Sequence, residues 1–257
     1  MKSRNKLWLI AIIAIMAFGF IACDLDNNNA VVTAGVERLT WFEYNGEITI
    51  TGLTEGAPVA VLNIPEQING IPVTTIGERA FFSNFDNTRG TLISVTIPNS
   101  ITSIGNQAFL FNQLTSVTIP DSVTFIGHGA FASNYLTNVT IGNSVTSIGG
   151  NAFAHNRLTS ITIPDSVILI SLQAFAHNRL TSVTIGNSVT SIASRAFENN
   201  QLTSITIGAG VNVNNNAFNQ GSGLGTPSGF VAAYYATGRL AGRYTRPNTA
   251  SFTWTRQ

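Results

Sequence analysis

Leu92, Leu114, Leu136, Leu158, Leu180 and Leu202 recur at a constant interval of 22 residues. A self-similar period of about 20–29 residues means stacked coils, each too small to bury its own apolar face and each completed by its neighbours. Five copies are full length and the sixth is shortened. Within a coil the start alternates. Val117 and Ile119 point to one face of a short strand, and Ser116 and Thr118 to the other. Pro98, Pro120 and Pro164, or Gly142, Gly186 and Gly208, end the strand, because Pro cannot donate to a ladder and Gly weakens it. Val123 and Ile126 bury on the way back, Gly127 permits a bend, and Ala130-Phe131 is expected in a single helical or 3₁₀ turn.

The coils should stack their side chains in columns. Phe81, Phe109, Phe131, Phe153, Phe175, Phe197 and Phe218 form one such column and account for seven of the sixteen phenylalanines. Each is expected to contribute about 1.5–3 kcal/mol by burial, which makes the column core and not a ligand site. Asn112, Asn134, Asn156, Asn178 and Asn200 hold another constant position, where a stacked amide can satisfy turn backbone.

The string Ile119-Pro-Asp-Ser-Val123, followed by Ile126-Gly127 and Ala130-Phe131, is repeated with small variation between Leu92 and Phe218 and resembles the BspA-like leucine-rich repeat family. Asn112 and its equivalents stand where that family often has Cys, and the coils are nearly as rich in Thr and Ser as in Leu. The resemblance implies an α/β-type leucine-rich repeat solenoid, with a parallel β-sheet on the concave face and short helical or 3₁₀ turns on the return side. It also implies a place on the surface of host-associated bacteria, with roles in adhesion to host proteins or other cells.

The ends divide the chain further. Lys2, Arg4 and Lys6 precede an unbroken apolar stretch from Leu7 to Ala22, so residues 1–22 read as a secretory signal. Cys23, the one cysteine, follows Phe20-Ile21-Ala22 as in a lipobox and is the expected lipidation site. An unpaired thiol behind an ordinary cleaved signal is the other reading. Residues 23–38 read as a polar tether. Residues 39–60 hold two alternating runs around Asn45-Gly46, a hairpin signal, and should cap the first coil. Coils occupy 61–218, with Asn69-Gly70 turning a longer first one. Residues 219–257 form a second cap containing a helix over Pro227–Ala236.

Composition narrows the function. The signal takes three of the thirteen basic residues and leaves ten against twelve acids, so there is no basic field to hold nucleic acid. Arg239, Arg243, Arg246 and Arg256, with Tyr244 and Trp254, could grip an anionic polymer or lipid headgroups, or could simply cover the last coil. A repeated coil shows the same residue in every rung, whereas catalysis needs unlike groups in one place, so no enzyme and no cofactor is expected. His155 and His177 share a repeat position and His128 stands apart; no third ligand type recurs beside them, so no metal site is assigned.

The outward strand positions carry two polar columns, of which Ser116, Thr118, Asn138, Thr140, Ser160, Thr162, Ser182 and Thr184 are the candidate binding residues. Strand propensity and hydroxyl ladders alone could also account for them. The expected function is a lipid-anchored surface adhesin or protein-interaction module for host matrix proteins or other cells. A structural periplasmic envelope component without an external ligand is the alternative.

Overall fold

The computed structural model describes residues 33–54, 59–83, 92–219, 229–251 and 253–257. The signal segment, Cys23, Asp24–Asn29 and Pro227 lie outside them. The repeated region is a parallel β-solenoid of about seven turns. Its first ladder is a row of the strands that alternation predicts, including Val61–Asn63, Ser94–Thr96, Ser116–Thr118, Asn138–Thr140, Ser160–Ile163, Ser182–Ile185 and Ser204–Ile207, hydrogen-bonded in three successive sheets. Equivalent residues lie side by side, Ser116 with Asn138, Thr118 with Thr140, and Thr162 with Thr184.

The return side differs from expectation. Each coil comes back through a second parallel strand, as in Ser103–Ile104, Phe125–Ile126, Ser147–Ile148, Leu169–Ile170, Ser191–Ile192 and Asn212–Val213, all in one continuous sheet. The Ala-Phe segment that follows is a turn, not a helix. Ala130 N–H donates to Gly127 O at 3.3 Å and Ala132 N–H to Gly129 O at 3.1 Å, but Phe131 N–H leaves its own coil for Ala152 O of the next at 2.8 Å. Two left-handed residues per coil prevent helical continuation: Gln107 and Phe111, Asn151 and His155, Gln173 and His177 all have φ of 55–60°. The leucine-rich repeat solenoid with its parallel strands is therefore present as a β-solenoid, and its return side is a short strand followed by i→i+3 bonded turns that do not extend into helix. Among the described residues helix is confined to a 3₁₀ turn at Val36–Arg38 and the α-helix Gly229–Ala236.

The space between the ladders is filled by the columns the repeat sets up. The seven phenylalanines stack with ring centroids 4.9–5.4 Å apart, close to the spacing of neighbouring strands. Leu114, Leu136, Leu158 and Leu180, with Val123, Val145 and Val167, are fully buried around them. Offset aromatic stacking adds to the area each ring removes from water.

At the amino-terminal end Leu39–Tyr44 and Glu47–Leu53 form an antiparallel hairpin, and Glu47–Leu53 pairs in parallel with Ile71–Ile76 at the start of the second ladder. Asn45 (φ 52°) and Gly46 (φ 76°) both take positive φ, the geometry that an Asn-Gly two-residue turn favours. Residues 33–38, read from sequence as tether, carry structure: Thr33–Ala34 pairs with Val61 and Leu62.

At the other end the helix Gly229–Ala236 lies against the last coil, and Gly238 (φ 71°) follows it in the left-handed conformation that helix ends favour. The Tyr234 hydroxyl accepts from Val211 N–H at 3.0 Å and donates to Gly208 O at 2.8 Å. The Tyr235 hydroxyl accepts from Val213 N–H at 3.2 Å and donates to Val213 O at 3.1 Å. Two phenols thereby stand in for the strand that a further coil would supply. Phe230 meets Phe218, Tyr244 and Trp254 edge to face. A strand that sequence reading missed, Gly242–Thr245, pairs antiparallel with Ser204–Ile207 and, on its other edge, with Thr255–Arg256, so the two together end the first ladder.

Candidate binding surface

Polar residues recur every 22 positions on several columns, and their hydrogen bonds sort them. The asparagine column is entirely consumed. Asn156 Oδ1 accepts from Leu136 N–H at 3.0 Å, while Nδ2 donates to Phe131 O of the preceding coil at 2.9 Å and to Phe153 O and Ala154 O at 3.2 and 3.3 Å. Asn134, Asn178 and Asn200 repeat the pattern. All five amides are buried, where an unpaired amide would be costly. Threonines beside the strands are also engaged: Thr137, Thr181 and Thr203 donate to the carbonyl of the threonine one coil back at 3.2–3.3 Å. On the return side Thr124 and Thr146 do the same.

The candidate residues differ. Ser116, Thr118, Asn138, Thr140, Ser160, Thr162 and Thr184 are exposed and Ser182 is half-buried. Among the described residues none of these side chains makes a hydrogen bond within the protein. The two ends of the same columns are closed: Thr96 Oγ1 donates to Asn63 Oδ1 at 2.9 Å, and Ser204 Oγ accepts from Arg243 Nε at 3.0 Å. The open stretch is therefore the four middle rungs, and it bears no charged side chain. Its donors and acceptors are in water, ready to exchange for a partner's.

Of the carboxy-terminal arginines only Arg246 turns inward, and Arg243 and Arg256 stay exposed. Arg246 is buried, its Nε donating to Leu202 O at 2.6 Å and its Nη1 to Thr249 O and Ser251 O, with its guanidinium 5.2 Å from the Trp254 ring centroid. Arg256 holds Ala241 O, and Arg239 lies over Tyr235. These contacts serve the closure of the last coil.

His155 and His177 stack with centroids 4.3 Å apart and planes 7° from parallel. Burial, and secondarily the charge of His177, push the His155 pKa down. His177 Nδ1 is already 3.2 Å from Asn199 Nδ2 of the next coil. Among the described residues no three His, Cys, Asp or Glu side chains gather where they could hold a metal.

Sequence reading passed over Ile168, Leu169 and Leu172, which are 51%, 39% and 48% exposed. The available signal was their departure from the Thr, Ser and Gly that the preceding coil has at those positions.

The model of the BspA type leucine-rich repeat region matches residues 62–178 and 102–225, in six copies. The chain belongs to that family. Leucine-rich repeat proteins of this kind work, in general terms, through protein–protein interaction. The crystal structure of a leucine-rich repeat protein from Bacteroides ovatus is similar in fold, with TM-score 0.50 and 22% identity over 66% of this chain and 57% of that one. The present chain thus spans little more than half of that protein's length. The T. pallidum leucine-rich repeat protein gives TM-score 0.46 and 21% identity over 63% of this chain and 85% of its own. A leucine-rich cell surface protein from Faecalibacterium prausnitzii gives 0.26 and 21% over 72% and 85%. No curated protein matches the sequence. Among the described residues no helix is long and apolar enough to cross a membrane.

Proposed function

We propose that the chain is an exported envelope module that binds a protein partner through the outward side of its first ladder. The observation that carries this reading is the contrast in hydrogen bonding. Ser116, Thr118, Asn138, Thr140, Ser160, Thr162, Ser182 and Thr184 have no partner among the described residues, while the neighbouring polar columns are used up inside the fold. An uncharged face of this kind selects by shape and hydrogen-bond register, with little electrostatic steering.

In the finer form of the proposal, residues 1–22 direct export and Cys23 carries lipid. Two or three acyl chains would make the attachment durable, since each buried methylene contributes about 0.8 kcal/mol. The partner is a host matrix protein or a protein on another cell, the surface location following from the signal and the family. We assign no reaction and no cofactor.

The test is binding of the full chain to immobilised matrix proteins, beside the quadruple variant Thr118→Val, Thr140→Val, Thr162→Val and Thr184→Val, which keeps side-chain shape and removes hydroxyls. Saturable binding lost in the variant supports the proposal. Equal binding by both proteins moves recognition off this face, and no binding by the folded chain favours a structural envelope role.

A further inference from the structure

A second surface stands at the turn that joins the return side to the first ladder. Arg157 and Arg179 hold the same position in successive coils, each anchored by its own N–H to the leucine carbonyl of the coil before, Leu136 O at 2.9 Å and Leu158 O at 3.0 Å. Their Cα atoms are consequently one rung apart, about 4.8 Å. Both side chains are exposed. The Arg157 guanidinium lies 4.1 Å from the centroid of the Tyr135 ring in the preceding coil. Two residues earlier in each of these coils stand His155 and His177, stacked at 4.3 Å.

This corner accumulates positive charge without an internal counter-charge. The salt bridge seen among the described residues, Arg195 to Glu198 at 3.8 Å, is elsewhere in the coil. Glu198 stands one coil beyond His177, whose N–H donates to its carbonyl at 2.8 Å, and its carboxylate pairs with Arg195. The equivalent positions in flanking coils are neutral, Gln113, Tyr135 and Gln201, so the fold does not need arginine there. Like charges one rung apart repel, and although solvent screens much of that repulsion, an anion bound between the two would relieve the rest.

Beside the corner is a groove of about 750 Å³ whose walls include Gln107, Gln113, His128, Tyr135, Asn151 and His155 among apolar residues such as Leu110 and Ala132; neither arginine lines it, and Arg157 adjoins it through the Tyr135 ring. Amides, imidazoles and a phenol both donate and accept, which suits a ligand dense in hydroxyl groups. Arginine forks are suited to planar or tetrahedral oxyanions. We infer that this groove and the arginine pair beside it bind an acidic polysaccharide, its hydroxyls along the groove and its carboxylate or sulfate groups beyond Tyr135 on Arg157 and Arg179. The site is separate from the strand face proposed above and does not depend on it. An acidic peptide is the less favoured ligand, and poly-glutamate tests it.

The experiment measures binding of the full chain at physiological ionic strength to heparin, which is sulfated, to polygalacturonate, which carries carboxylates alone, to neutral dextran and to poly-glutamate. The expected result is saturable binding to one or both acidic polysaccharides, weakened at least tenfold by Arg157→Gln with Arg179→Gln and unchanged by Arg38→Gln with Arg239→Gln, which removes equal charge elsewhere. Preference for heparin or for polygalacturonate then assigns the anion. The inference is overturned by equal weakening in the two double variants, by poly-glutamate binding as tightly as the polysaccharides, or by no acidic polysaccharide binding at all. Melting curves of both variants alongside the parent show that the loss is not unfolding.

Discussion

The buried asparagine column and the exposed hydroxyl columns of the first ladder recur with the same period and are both polar, yet they do opposite things. Asn134, Asn156, Asn178 and Asn200 each make four hydrogen bonds and tie one coil to the next. Thr118, Thr140, Thr162 and Thr184 make none within the described protein. Recurrence at fixed spacing therefore says that a position matters to the stack or to something outside it, without saying which. Counting where each donor and acceptor goes separates the two.

Three stability measurements would break or sharpen that contrast. The largest effect is expected from Phe153→Ala, which removes a fully buried ring from the middle of the stack and should cost about 3–5 kcal/mol in urea unfolding. Because coils touch only their neighbours, loosening should spread from that site, and hydrogen exchange should rise first in the adjacent coils. Next comes Asn156→Ala, which leaves Leu136 N–H buried without its side-chain acceptor and the Phe131 carbonyl with only Asn134 Nδ2 as its side-chain donor. About 2–3 kcal/mol is expected. Tyr234→Phe removes one hydroxyl that serves both Val211 N–H and Gly208 O, so the last coil should fray at a cost of about 1–2 kcal/mol.

Much of this architecture was legible in the sequence because stacking turns a period into columns. The leucine, phenylalanine and asparagine columns and both Asn-Gly turns can be read directly. The second ladder was not foreseen. Ser147-Ile148 and Phe125-Ile126 are too short to show alternation, and Ala-Phe after a glycine reads equally well as a helical turn. What decides is the left-handed conformation of Asn151, His155, Gln173 and His177, which residue identity announces weakly, since glycine is the usual tenant there and here holds only Gly129 among these positions. The closing strand Gly242–Thr245 was hidden for another reason: its glycine and arginine read as loop, and only pairing with Ser204–Ile207 makes it a strand. For the candidate site, sequence placed the hydroxyl columns on the outward side but could not say that their two ends are closed by Asn63 and Arg243 while the middle stays open.

The most direct test of the account is the thermal and urea unfolding of the Thr118→Val, Thr140→Val, Thr162→Val, Thr184→Val variant beside Asn156→Ala. If the strand-face hydroxyls have no structural duty, each valine should change stability by less than about 0.5 kcal/mol and the quadruple variant should unfold close to the parent. A loss as large as that of Asn156→Ala would show that the hydroxyl columns hold the coils together, and would contradict their assignment as the recognition surface.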